Sequence, residues 1–246
     1  MKHLLRYWEI DVVRAFALLF MLVQHTWLVW NFISIGDADA PLIAERIGKV
    51  GAVLFLVLVG VSGYILYSKI VKNCSDGEID RLFFKRGLFL LGMGLVISLV
   101  TFIAIPQAPI YFGVLSFIGL SVILLPFFIR NNWLKWILIF AAPVVGYLLS
   151  LIHPKSYLLL PFGIYPVPFQ SKDYWPFFPW ISVVLAGVVI GEHVYTMGDR
   201  QFSIPAVTSK AVLTLQWIGS HTLLLYMLHL PVLYILLQTV KYLLEL

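Results

Sequence analysis

The sequence predicts an all-α integral membrane protein: a single bundle of about seven transmembrane helices, N-terminus inside and C-terminus outside. Three observations carry that prediction. Of the 246 residues, 61% are hydrophobic and only 12% are charged, with a mean hydropathy of +0.95. Water-soluble domains carry far more charge. Seven apolar runs approach the roughly 20 residues a helix needs to cross hydrocarbon. The basic residues between those runs are also unevenly shared, which sets the orientation.

The runs fall at about 9–32, 50–69, 86–105, 110–130, 133–152, 175–197 and 220–242. The first, EIDVVRAFALLFMLVQHTWLVWNF, is too long for a signal-peptide core and lacks a small-residue cleavage site. It is read as a span. A tight turn around Pro106, Gln107 and Pro109 joins the third and fourth. With the N-terminus inside, Lys2, Arg6, Lys69, Lys72, Arg81, Lys85, Arg86, Arg130, Lys135, Arg200 and Lys210 face the cytoplasm. These eleven compare with five outside: Arg46, Lys49, Lys155, Lys172 and Lys241. The formal charge of +5 then reflects topology rather than nucleic-acid binding. Asn73 to Arg86 reads as a charged cytoplasmic loop. Residues 153–172 form an outer loop too rich in proline and aromatics to float in water, so it is expected to fold back onto the helices. Ser209 to Gly219 reads as an interfacial amphipathic helix. The one cysteine, Cys74, excludes an intrachain disulfide and a cysteine-based metal site. No internal repeat is visible, and residues 1–246 read as one domain.

Polar groups inside apolar spans are costly and commonly functional. The first span carries Asp11, Arg14, Gln24 and His25. Eleven positions separate Arg14 from His25, three turns plus about 20°, so both lie on one face about 16 Å apart. The inward-to-outward direction puts Arg14 in the inner leaflet and His25 in the outer half. Ser116 and Asp173 fall at a similar outer level, where a carboxylate beside an imidazole raises its basicity and fixes its tautomer. His229 lies near the middle of the seventh span, with Tyr226 one turn away. Lys85 and Arg86 enter the third span near the depth of Arg14, where cations suit the phosphates of a large cosubstrate. Structural roles compete with each of these. Arg14 can snorkel or pair with Asp11, and His25 can join Trp27 and Trp30 in an aromatic belt. His229 can bridge two helices, Asp173 can cap the sixth helix, and Tyr226 can simply pack.

The run from Tyr7 to His25, YWEIDVVRAFALLFMLVQH, resembles the first helix of the heparan-α-glucosaminide N-acetyltransferase catalytic-domain family, in its small prokaryotic branch. Its Arg-x10-His spacing is also similar to that of membrane acyltransferases acting on surface polysaccharides. Further resembling segments follow in order: VLFLVLVGVSGYILYSK, KRGLFLLGMGLVISLVT, YFGVLSFIGLSVIL, DYWPFFPWISVVLAGVVIGE and IGSHTLLLYMLHLPVLY. The resemblance implies acetyl-CoA as cosubstrate, bound from the cytoplasm, with acetyl transfer to an acceptor outside and no metal. It implies His25 as the catalytic histidine, Arg14 along the CoA path and Arg86 at the CoA phosphates. Asp11 and Lys85 join the cofactor side. Tyr226 and Trp180 are read with them as cofactor-binding, and Asp173, Ser116 and His229 as catalytic candidates beside His25; Asp173, Trp180 and His229 fall in family-like segments. Ser116 stands where relatives often have a second histidine. The implied partners are coenzyme A, a sugar or amine acceptor and the lipid bilayer of the cell membrane, with room for a homodimer and no role for nucleic acid. Three other classes compete. A transporter or channel would use the polar stripe as a pathway. A retinal protein needs a lysine in the last helix, and none lies between Ala211 and Val240. A non-catalytic scaffold leaves Arg14 unexplained.

Overall fold

The computed structural model describes residues 6–35, 41–104, 106, 109–204 and 209–244; Lys2, His3 and Gln107 lie outside them. Among the described residues there are eight α-helices and no strand: α1 (Trp8–Ile35), α2 (Leu42–Ile70), α3 (Asp76–Ala104), α4 (Val114–Arg130), α5 (Asn132–Ser150), α6 (Phe177–Val194), α7 (Lys210–Ser220) and α8 (Thr222–Leu244). Single 3-10 turns occur at Leu160–Phe162 and Thr196–Gly198. The seven expected spans correspond to α1–α6 and α8. Six of these are long and apolar enough to cross a membrane; α4, at 17 residues, is shorter. The chain is all-α, and large apolar side chains such as Leu88, Phe89, Leu95, Leu99 and Ile103 of α3 are exposed, as lipid-facing residues must be.

The chain divides into two compact units, residues 1–55 with 204–246, and residues 56–203. In the first, α1 packs against α7 and α8. Small residues let the backbones approach. A Cβ on Gly219, at the end of α7, would lie 1.7 Å from the Asp11 carbonyl oxygen, and one on Gly51 of α2 would lie 2.7 Å from that of Ala17. The end of α8 is tied to the end of α1 by Lys241 Nζ, which donates to the Ile33 carbonyl at 3.0 Å.

In the second unit α3 pairs with α4 and α5 with α6. The α3–α4 contact is built on Gly87 and Gly119. A Cβ on Gly87 would meet the Gly119 carbonyl at 2.5 Å, a close approach characteristic of membrane helix pairs. α4 buries ten residues, among them Phe117, Leu125 and Phe128.

Two expected segments come out differently or in more detail. The charged stretch 73–86 is mostly helix: α3 begins at Asp76, so the connection from α2 is only residues 71–75. The Glu78 carboxylate accepts from the Ser75 backbone N–H and hydroxyl, both at 2.8 Å, which is half of a capping box. Ile79 and Phe83, one turn apart, are buried and fix this turn against the core. The outer loop does fold onto its own unit. Tyr174 Oη donates to the Leu160 carbonyl at 2.7 Å, Ser171 Oγ to the Pro109 carbonyl at 2.9 Å, and the Trp175 N–H to the Phe112 carbonyl at 2.9 Å. Tyr111, Tyr157, Tyr165, Phe169 and Tyr174 form a cluster of tilted, stacked and edge-to-face ring contacts there, with ring centroids 5.0–6.1 Å apart.

Candidate active site in the first unit

The start of α1 holds a fully buried carboxylate. Asp11 Oδ2 accepts from Arg6 Nε at 2.6 Å, and its Oδ1 accepts from Arg6 Nη2 at 3.1 Å and Arg14 Nη1 at 2.8 Å. The side chains of Arg6 and Arg14 are 53% and 23% exposed, that of Asp11 0%. A buried carboxylate needs such donors. Two guanidiniums against one carboxylate leave the cluster with a formal charge of +1. The Asp11–Arg14 pairing considered from the sequence is present. Arg6, counted there only as an orientation charge, turns out to be the bidentate partner. Its signal was the carboxylate five residues on, just inside the helix.

Farther along α1, about 26 Å from its start at 1.5 Å per residue, is His25. Its Nδ1 lies 3.0 Å from Nε2 of His229 on α8. The rings have centroids 4.8 Å apart and are tilted by 43°. His229 is buried, and its Nδ1 is 2.5 Å from the backbone carbonyl oxygen of Tyr226, whose ring centroid is 5.2 Å from the imidazole. Three expected site residues, His25, His229 and Tyr226, are thus one hydrogen-bonded chain across two apolar helices. Gln24, the residue before His25, packs against Gly48 of α2, where a Cβ would overlap its side-chain amide.

The second unit holds the other expected residues. Asp173 does cap a helix, but that helix is α4, not α6. Its Oδ2 accepts from the Val114 N–H at 2.9 Å, its Oδ1 accepts from Trp175 Nε1, and the Trp175 and Trp180 rings lie 4.3 Å apart. Burial pushes the Asp173 carboxyl up to about 6, against the pull of the two donors at Val114 and Trp175. Ser116 is buried in the first turn of α4, facing Gly94 of α3 so closely that a Cβ there would lie 2.3 Å from its hydroxyl. Lys85 and Arg86 are exposed on α3. Sequence reading counted Lys135 among the cytoplasmic charges. It is instead 1% exposed and paired with Glu192 of α6, itself 25% exposed. No cluster of three or more metal-ligating side chains occurs among the described residues.

A sequence profile for the family described as heparan-alpha-glucosaminide N-acetyltransferase, catalytic, matches residues 6–231. Curated proteins and solved structures give no significant match. The matched region takes in every helix from α1 to α7 and α8 as far as Pro231, including Arg6, Asp11, Arg14, His25, Tyr226 and His229. The chain therefore belongs to the heparan-α-glucosaminide N-acetyltransferase catalytic-domain family.

Proposed function

We propose that this membrane acyltransferase moves an acetyl group from cytoplasmic acetyl-CoA to an extracytoplasmic acceptor, an amino sugar, glycan or lipid-linked sugar, through His25. The observation that carries the reading is the His25–His229 pair, two imidazoles hydrogen-bonded to each other within apolar helices. Burying such polar groups is costly, and one of them is the proton acceptor acyl transfer requires. The acceptor's hydroxyl or amine attacks the thioester carbonyl and gives its proton to His25. The carbon–sulfur bond breaks, and the CoA thiolate recovers that proton as it leaves as a thiol. Such general-base assistance is worth roughly 10²–10⁴-fold in rate.

Arg14, in the cluster with Arg6 and Asp11, contributes positive charge along the CoA path. Lys85 and Arg86, exposed on α3, supply cations for CoA phosphates. Purified protein in nanodiscs, given acetyl-CoA and a panel of amino sugars and glycans, tests the reading. Acceptor-dependent release of CoA thiol with an acetylated product by mass spectrometry is the expected result. Solute flux in proteoliposomes with no CoA release would replace it with transport.

A further inference from the structure

We propose that His229 is a positioning residue that fixes the tautomer of His25, so that His25 Nε2 is the bare nitrogen taking the acceptor's proton. This rests on the acetyl-transfer reading above and assigns each nitrogen of the pair.

The assignment follows from donor and acceptor accounting. A carbonyl oxygen only accepts. With His229 Nδ1 at the Tyr226 carbonyl, that nitrogen carries the hydrogen. A neutral imidazole has one N–H, so His229 Nε2 holds a lone pair. That lone pair faces His25 Nδ1 at 3.0 Å, which makes His25 Nδ1 the donor and leaves Nε2 of His25 unprotonated. The reverse arrangement needs both nitrogens of His229 protonated, a cation within an apolar helix, where charge is expensive. The hydrogen bond at one imidazole nitrogen sets the state of the other.

The consequence for the reaction is specific. As the acceptor attacks, its proton joins the lone pair of His25 Nε2. His25 becomes an imidazolium whose Nδ1–H still points at the His229 lone pair, and His229 is held in place by Tyr226. His229 therefore orients the base and stabilises its cationic form without touching acceptor or thioester. A buried carboxylate plays that part in the serine-protease triad; here a neutral imidazole does, and no net negative charge is placed in the span. The Nε2 proton then passes to the CoA thiolate, and the pair returns to its starting state.

The test reads the tautomer directly. The full chain, labelled with ¹⁵N-histidine in nanodiscs at neutral pH, gives a spectrum in which His25 is assigned by its loss in His25→Gln. The expected spectrum has a protonated Nδ1 and a bare Nε2 on His25, and His229→Leu shifts the proton to Nε2. In kinetics, His229→Leu lowers kcat by about 10²-fold or more, in the range a misoriented base costs, with the KM for acetyl-CoA unchanged. His229→Gln, whose amide oxygen accepts from Nδ1–H, restores kcat to within about tenfold of the natural enzyme. A natural protein with its His25 proton on Nε2, or a tautomer unmoved by His229→Leu, overturns the proposal. So does a folded His229→Gln as inactive as the leucine variant. If the leucine variant does not fold, the natural protein's spectrum and His229→Gln decide. A protein that transfers no acetyl group yet shows the expected tautomer keeps the nitrogen assignment of the pair but refutes the function, and with it the role of His25 Nε2 as the acceptor's base.

Discussion

Replacing Asp11 with alanine removes a carboxylate that Arg6 and Arg14 share. Asp11 is fully buried and accepts three charge-assisted hydrogen bonds. Breaking a buried ion pair by deleting one partner costs about 3–5 kcal/mol, because charge is left behind in a poor solvent. Arg6 is half exposed and recovers water on release, so its share is discounted. Arg14, at 23% exposure, recovers less. The net expectation is a loss of about 2–3 kcal/mol. At about 2–4 °C per kcal/mol for a chain of this size, the midpoint falls by about 5–10 °C. Intrinsic tryptophan fluorescence on heating in detergent measures it. A double-mutant cycle sharpens the test: Asp11→Ala with Arg14→Ala should lose less than the sum of the single losses, by about 1 kcal/mol or more, because the pair contributes jointly. A midpoint within about 1 °C of the natural protein, or an additive cycle, refutes the view that this cluster holds the start of α1.

Three further outcomes follow from the same geometry. Lys135→Met breaks the buried pair with Glu192 and should cost about 3 kcal/mol, whereas Lys135→Met with Glu192→Leu should recover most of it, as apolar replacements of buried pairs do; thermal melts of the three proteins check this. Asp173 is raised by burial to about 6 from an ordinary 3.8. Its contribution to stability is therefore full below about pH 4 and lost as pH rises through 6, at most about 3 kcal/mol, so melting midpoints should rise from pH 7.5 to pH 5 and flatten in Asp173→Asn. Arg86→Ala should weaken CoA binding in calorimetry in a salt-sensitive way while leaving the melting midpoint unchanged, since its side chain is exposed and such contacts are screened; Arg14→Ala is the less clean probe because it also disturbs Asp11.

The helices were legible because spans announce themselves by length and apolarity. The turns that departed from that reading are the ones where another signal competed. Asp76 to Lys85 looks like a loop to a hydropathy scan, yet Ser75-x-x-Glu78 is a helix-start pattern and Ile79 and Phe83 share a face. Asp11 with Arg14 was legible at i, i+3. The partners separated by long stretches of chain were not. His25 and His229 lie 204 residues apart, and nothing in either segment specifies which residue of the other it meets. Asp173 was read as a cap from its place before α6. The helix it caps, α4, begins 59 residues earlier, and only the folded outer loop brings the two together. Lys135 read as surface charge because its partner Glu192 lies 57 residues further on, in α6.

The most direct measurement of the central claim is the single-turnover rate of acetyl transfer by His25→Ala in nanodiscs, with CoA affinity measured on the same sample. A general base supplies at least about 10²-fold, and the cationic residues assigned to CoA are untouched by the substitution. The account therefore predicts a fall of 10² or more with CoA affinity and melting midpoint nearly unchanged. A variant that keeps more than about a tenth of the natural rate would contradict it, since that loss is smaller than proton transfer to His25 should supply.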